Sequence, residues 1–96
     1  MANNKRIAFF ISDGTGITAG SLGGLLSHFP ETDFEHIRIP FTDSLSKIDD
    51  AQKRIANSKM INGLRPVVIM SIGNKDHRSE LKEVDAYYID LFDIFI

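Results

Sequence analysis

Cysteine is absent from this chain of 96 residues, which excludes disulfides, thiol nucleophiles and cysteine metal sites. A basic block is absent too, because the 11 Lys and Arg residues are scattered among 13 Asp and Glu residues. We therefore expect neither nucleic acid nor an anionic membrane as a partner. No apolar run approaches the length of a membrane span, and the N-terminus lacks the apolar stretch of a signal peptide, so a cytoplasmic location is expected. A chain of this length has room for one small domain, residues 1–96.

The chain also lacks the sequence Gly-x-x-x-x-Gly-Lys-Ser/Thr, so a complete nucleotide P-loop is absent. Its three histidines, His28, His36 and His77, have neither the i, i+4 spacing nor the clustering of metal ligands. Ser12 has no histidine close in sequence that would serve as its base. We therefore expect no metal site and no bound cofactor in this chain.

The most informative stretch is an apolar run over residues 7–11 that passes directly into small and polar residues. Such a run is typical of a strand buried on both faces, and the apolar spacing beyond it predicts a helix over residues 17–29. Glycines permit close backbone approach in the intervening turn, while hydroxyls and the free N–H groups of a helix start suit an anion such as phosphate. The predicted phosphate- or anion-binding residues are Ser12, Gly14, Thr15, Gly16 and Thr18.

Asp13 lies inside this turn and suits three roles. It is the candidate catalytic residue, as a general base, but aspartate is also common as a hydrogen-bond anchor in turns and as a helix cap, and these structural roles are favoured. Arg65 and Arg78 are candidate phosphate contacts, because a guanidinium binds phosphate through two parallel hydrogen bonds. An ordinary surface position is the simpler interpretation of both arginines.

Strand and helix patterns alternate along the rest of the chain. Strands are predicted at residues 34–41, 66–72 and 86–91, and helices at residues 45–62, between the caps Ser44 and Gly63, and 75–84, after the cap Asn74. Because the connections are too long for hairpins, the order β-α-β-α-β-α-β predicts an α/β fold: a doubly wound, mainly parallel four-stranded sheet with helices on both faces. Residues 12–16, 42–44 and 71–74 should gather at the carboxyl ends of its strands, where such sheets bind ligands.

A dinucleotide-binding domain is one alternative, because Gly14-x-Gly16-x-x-x-Gly20 after a strand is similar to a dinucleotide fingerprint. The acidic residue that would hold a ribose is missing from the tip of the second strand, where Asp43 is the nearby substitute. The glycine pattern alone is a weak signal, so this alternative ranks lowest; NAD binding would test it.

The opening turn and several later segments resemble the kinase-pyrophosphorylase family, the regulatory proteins of phosphoenolpyruvate synthase and of pyruvate, phosphate dikinase. The resemblance spans nearly the whole chain, and its most specific part is the Ser-Asp-Gly-Thr-Gly-Ile-Thr run. Two positions depart from the family pattern: Gly20 stands where an acidic residue is usual, and Lys75 where a proline is common. The matching segments are residues 9–19, 26–30, 39–41 and 63–68, Arg78, and residues 90–96.

Members of that family are bifunctional regulatory serine/threonine kinases. They use ADP to phosphorylate a threonine beside the catalytic histidine of the target enzyme, and inorganic phosphate to remove that group as pyrophosphate. The resemblance implies phosphoenolpyruvate synthase or pyruvate, phosphate dikinase as the partner, with ADP and phosphate as substrates. Because the family's P-loop lies in a C-terminal domain, this chain resembles the N-terminal domain alone, and we expect no kinase activity from it by itself.

A non-catalytic binding or dimerisation module is the other hypothesis. In that case the turn merely joins a strand to a helix, and the interface is the apolar stretch from Phe92 to Ile96, which has no obvious cover in one small domain. This apolar end favours either a homo-oligomer or a natural polypeptide that continues further.

Overall fold

Four strands form one parallel sheet in the computed structural model, which describes residues 6–14 and 34–94. The order across the sheet is β2-β1-β3-β4, and each neighbouring pair is parallel. The chain therefore moves outward from β1 to β2 and then crosses back over β1 to β3, which confirms the predicted doubly wound α/β fold. The strands are β1 (Arg6–Ser12), β2 (Phe34–Ile39), β3 (Val67–Ser71) and β4 (Tyr87–Asp90).

The described helices are α1 (Leu45–Asn62), α2 (Lys75–Leu81) and α3 (Leu91–Ile94). The predicted caps of α1 are confirmed: Ser44 Oγ accepts a hydrogen bond from the Lys47 N–H, and Gly63 adopts a left-handed φ of 70°. Asn74 caps α2, since its Oδ1 accepts from the N–H groups of the second and third helical residues. None of the helices within residues 6–14 and 34–94 is long and apolar enough to cross a bilayer.

The predicted bounds of four elements were wrong, those of β3 by one residue at each end, since it spans Val67–Ser71 and not residues 66–72. β2 ends at Ile39, before residue 41, because Pro40 has no N–H and Phe41 turns into a left-handed conformation with φ 58°. α2 ends at Leu81, before residue 84, where the Tyr88 hydroxyl lies within 2.8 Å of the Leu81 carbonyl oxygen. β4 begins at residue 87 and ends at Asp90, whose Oδ1 accepts from the Phe92 N–H at 3.0 Å as α3 begins.

Alternate residues of β1 point to opposite faces of the sheet, so both faces are buried. Helices lie on both faces, as predicted: α1 and α2 share one face, and Leu91 of α3 packs on the other. The helix predicted over residues 17–29 lies outside the described residues. The first core contains Ile7, Phe9, Ile11, Ile48, Ala51, Ile55, Val68, Met70, Ile72 and Leu81, and the second contains Ala8, Phe10, Ile69 and Leu91.

Candidate functional site

The carboxyl ends of β1 and β3 lie side by side where the chain's winding reverses direction. In open parallel sheets this switch point is where ligands bind. The Asp13 N–H donates to the Ser71 carbonyl oxygen at 3.2 Å, and Asp13 Oδ2 accepts from the Gly73 N–H at 2.9 Å. The segments that follow the two strands are thus joined through Asp13.

The segment after β2 joins the same edge of the sheet. The Thr42 N–H donates to the Ser12 carbonyl oxygen at 2.8 Å, and the Phe41 N–H donates to the Gly14 carbonyl oxygen at 2.7 Å. Thr42 is buried, and its hydroxyl donates to the Ile39 carbonyl oxygen at 3.2 Å. The predicted gathering of the three loops at the carboxyl edge is therefore confirmed for their described residues.

The Ser12 side chain makes a hydrogen bond within the turn. Its side chain is buried, and its Oγ accepts a hydrogen bond from the Gly14 N–H at 3.0 Å. An anion that binds the Gly14 N–H must therefore compete with, or share, this internal hydrogen bond. The anion-binding roles of Ser12 and Gly14 stay predictions, and Thr15, Gly16 and Thr18 lie outside the described residues.

The hydrogen bond from the Gly73 N–H shows that Asp13 anchors the turn, which is one of the two structural roles that were favoured over catalysis. The residue as a whole is exposed to solvent, so a ligand at this edge would meet its carboxylate. A negative charge there repels a bound anion unless cations or N–H donors compensate for it. The catalytic role of Asp13 as a general base stays a prediction.

The structure separates the two candidate arginines. Arg78 lies near the switch point, where its Nη1 donates to the carbonyl oxygens of Ile72 at 3.1 Å and Gly73 at 2.8 Å. Arg65 lies two residues before the start of β3, so it is at the amino edge of the sheet, the edge opposite to that of Ser12; its Nε is 3.0 Å from Asp85 Oδ1. The two arginines therefore do not share a site, and of the two it is Arg78 that brings a positive charge to the loop that Asp13 contacts.

Sequence reasoning missed Phe41, which is the one non-glycine residue with positive φ within the described ranges. The residue is 54% exposed at the carboxyl edge. Pro40 signalled the strand end, but no local pattern predicts a left-handed backbone for a bulky residue, because such residues avoid that region.

In the dinucleotide alternative, Asp43 would have to take the place of the missing acidic residue that holds the ribose. Its carboxylate points toward α1. Its Oδ1 lies 3.1 Å from Lys47 Nζ, and this hydrogen bond and charge hold the pKa of Asp43 below its ordinary value. A nucleotide ribose would have to displace Lys47 from the carboxylate. Across residues 6–14 and 34–94, no group of three or more His, Cys, Asp or Glu side chains could hold a metal ion.

Residues 8–96 match the profile of the kinase/pyrophosphorylase family. A protein of Methylobacillus flagellatus with the provisional name phosphoenolpyruvate synthase regulatory protein is 51% identical over 92 residues, which are 96% of this chain and 34% of that protein. Proteins with the same provisional name from Aromatoleum aromaticum and Hahella chejuensis are 47% and 46% identical, over 95% and 96% of this chain and 33% and 34% of those proteins.

The chain thus spans about a third of the length of the curated relatives it matches. Because the family profile covers nearly all of its residues, and relatives are similar along almost its whole length, this chain belongs to the kinase/pyrophosphorylase family.

Proposed function

We propose that the chain is the N-terminal α/β domain of a bifunctional regulatory serine/threonine kinase and pyrophosphorylase. The full protein would use ADP to phosphorylate a threonine of phosphoenolpyruvate synthase or pyruvate, phosphate dikinase, and inorganic phosphate to remove that group. The family match and the names of the relatives support a regulatory role. The greater length of those relatives supports a further domain, which would carry the P-loop in a cytoplasmic protein.

Within that protein, this domain would contribute one wall of a phosphate site at the carboxyl edge. The observation that carries this part of the proposal is the Asp13 contact with Gly73, which joins the β1 and β3 loops at the switch point. Arg78 supports it by bringing a guanidinium to the same loop.

Titration of the isotopically labelled chain with phosphate, pyrophosphate and ADP tests the phosphate site. The amides of Gly14, Thr15 and Gly16 should shift at millimolar ligand. Gly63 is the internal control, because it caps the far end of α1, away from the switch point. If residues 14–16 do not respond, the anion site fails for this chain, and the binding or dimerisation module becomes the better hypothesis.

The activity part of the proposal has a separate test. We expect the 96-residue chain alone to transfer no phosphate to phosphoenolpyruvate synthase in the presence of ADP, because it contains no P-loop. The full-length Methylobacillus flagellatus relative, assayed beside it, is the matched comparison. ADP-dependent phosphorylation of a target threonine by this chain alone would contradict the expectation that the kinase activity requires the further domain with the P-loop.

A further inference from the structure

Three cations that are distant in sequence come together at the amino edge of the sheet. Arg6 begins β1, Arg65 lies two residues before the start of β3, and Lys59 lies in the last turn of α1. The charge pattern of the sequence does not reveal this cluster, because the two arginines are 59 positions apart. Together with Tyr87 and Asp85, which contact these cations, they form what we call the amino-edge patch.

The ring of Tyr87 brings the two arginines together. The guanidinium carbon of Arg65 lies 4.8 Å from the ring centroid, and that of Arg6 lies 5.6 Å from it. Both distances are within the range of cation–π attraction. Arg6 Nη1 also donates a hydrogen bond to the Arg65 carbonyl oxygen. The fold therefore places two positive charges at one ring, although like charges repel each other, and a bound anion would offset that repulsion.

The amino-edge patch carries more positive than negative charge. Asp85 supplies its carboxylate: Oδ2 pairs with Lys59 Nζ, and Oδ1 lies 3.0 Å from Arg65 Nε. The hydrogen bond from Lys59 and the charge of Arg65 hold the pKa of Asp85 below its ordinary value, so this carboxyl is ionised at neutral pH. Three cations and one carboxylate give the patch a net charge of +2, whereas the whole chain has a net charge of −2.

The patch is open to solvent. Tyr87 is 52% exposed, and the side chains of Lys59 and Arg65 are each 44% exposed. Each guanidinium has further N–H groups, beyond the nitrogens in the contacts above, that can donate to a carboxylate. Tyrosine and arginine are also the residue types enriched at the energetic centres of protein interfaces. The patch thus has both the charge and the composition of a surface that binds an acidic protein.

We propose that the amino-edge patch binds an acidic segment of a protein partner, with Asp or Glu carboxylates of that segment at Arg6 and Arg65. Arginine suits carboxylates because it can donate two parallel hydrogen bonds, and the Asp85 carboxylate already contacts both Lys59 and Arg65. The flat ring of Tyr87 offers apolar contact surface beside these charges. Free phosphate is favoured less, because it would bring a second negative charge close to Asp85.

This inference goes beyond the proposed function and does not rest on it, because the predicted phosphate site lies at the carboxyl edge of the sheet. The two edges are at opposite ends of the parallel strands. A partner on the amino-edge patch would therefore leave the carboxyl edge accessible to other ligands.

Fluorescence anisotropy of the full chain with a labelled polyglutamate peptide tests the assignment. A peptide of the same length, in which glutamine replaces every glutamate, shows whether binding requires carboxylates. Arg6→Gln and Arg65→Gln each remove one positive charge from the patch. Arg54→Gln is the matched control, since Arg54 is an exposed arginine of α1 that lies beside β2, whereas the patch includes β4 at the other side of the sheet.

We expect the glutamate peptide to bind more tightly than the glutamine peptide, and its binding to weaken as the salt concentration rises. Arg6→Gln and Arg65→Gln should each weaken it about threefold to fivefold, as loss of one partly exposed ion pair does. Arg54→Gln should leave it unchanged. The assignment is overturned if Arg54→Gln weakens binding as much as the patch variants do, or if all three variants bind like the parent.

The ring has its own test. Tyr87→Leu should weaken binding of the glutamate peptide by a similar factor, because it keeps an apolar side chain but removes the aromatic face that places both guanidiniums. Tyr87→Phe keeps that face and should bind like the parent. Equal affinities of the leucine and phenylalanine variants would show that the ring does not organise the binding surface.

Amide shifts of the labelled parent chain locate the contact and do not depend on the folding of any variant. The amides of Arg65 and Tyr87 should shift with the glutamate peptide, while that of Asn74, the cap of α2 at the carboxyl edge, should not. Inorganic phosphate should shift them no more than sodium chloride does at the same ionic strength. If phosphate shifts these amides and displaces the peptide, the patch is a site for small anions, and the protein-segment assignment is overturned.

Discussion

Two glycines stand next to asparagines at the ends of secondary-structure elements, and their backbones differ. Gly63 follows Asn62 at the end of α1 with φ 70°, and an added Cβ would have nothing within 4 Å. Gly73 precedes Asn74 and lacks a left-handed φ; an added Cβ would lie 3.5 Å from Asp13 Oδ2, an ordinary contact distance. The left-handed backbone at position 63 therefore requires glycine, whereas the backbone at position 73 does not.

Gly63→Ala should lower the free energy of unfolding by about 1 kcal/mol, because an L side chain is strained in the left-handed region. Gly73→Ala should change it by less than about 0.5 kcal/mol. Urea denaturation of both variants and the parent measures the difference. Equal losses in the two variants would show that the Gly73 position is strained in a way its contacts do not reveal.

The residues of the candidate site differ in how far the sequence could predict them. Ser12, Asp13 and Gly14 were placed at the switch point because local pattern and parallel topology both put a strand end there. The amino-edge position of Arg65 also follows from topology, since it precedes its strand. The backbone of Phe41 could not be predicted, because it depends on hydrogen bonds to a loop distant in sequence.

α1 was the element predicted best, because both of its ends are set by local contacts. Ser44 Oγ accepts from the Lys47 N–H at 3.3 Å, and the Gly63 N–H donates to the Lys59 carbonyl oxygen at 2.8 Å. Cap residues satisfy backbone groups that the helix itself leaves without partners. Such signals span only a few residues, so the sequence alone reveals them.

Ser44→Ala should lower the free energy of unfolding by about 1 kcal/mol, because the N-cap acceptor is lost. Ser58→Ala is the matched control: Ser58 Oγ donates to the Ile55 carbonyl oxygen at 2.8 Å inside α1, where alanine is the better helix former. We expect this control to be neutral or slightly stabilising in thermal denaturation. A Ser44→Ala variant as stable as Ser58→Ala would show that the cap contributes little.

The ends of α2 and β4 were predicted less well, because contacts distant in sequence determine them. The Tyr88 hydroxyl lies within 2.8 Å of the Leu81 carbonyl oxygen and within 2.6 Å of the Val84 carbonyl oxygen. Burial, and to a lesser extent the charge of Asp85, raises the pKa of Tyr88, so the phenol stays protonated and available as a donor. Periodicity within α2 carries no information about a tyrosine in the following strand.

For the whole molecule, Asp90 connects three elements at the edge of the sheet near β4. Its side chain is 4% exposed at the end of β4, with Oδ2 2.7 Å from Lys82 Nζ and 3.6 Å from Arg78 Nε. Oδ2 forms these ion pairs without an aligned hydrogen bond, while Oδ1 accepts from the Phe92 N–H. The same Arg78 holds the loop after β3, so Asp90 supports the candidate site indirectly.

Asp90→Asn should lower the free energy of unfolding by about 3 kcal/mol, because it removes a buried carboxylate charge that faces the half-buried guanidinium of Arg78 and the ammonium of Lys82. Asp85→Asn is the matched control: Asp85 also faces two cations, Lys59 and Arg65, but its side chain is 50% exposed, so water screens its ion pairs. Urea denaturation should therefore show a clearly larger loss for Asp90→Asn. If the two variants lose the same stability, the Asp90 pair is no stronger than a surface pair, and Arg78 must be held mainly by its carbonyl contacts and by the Phe92 ring beneath its guanidinium.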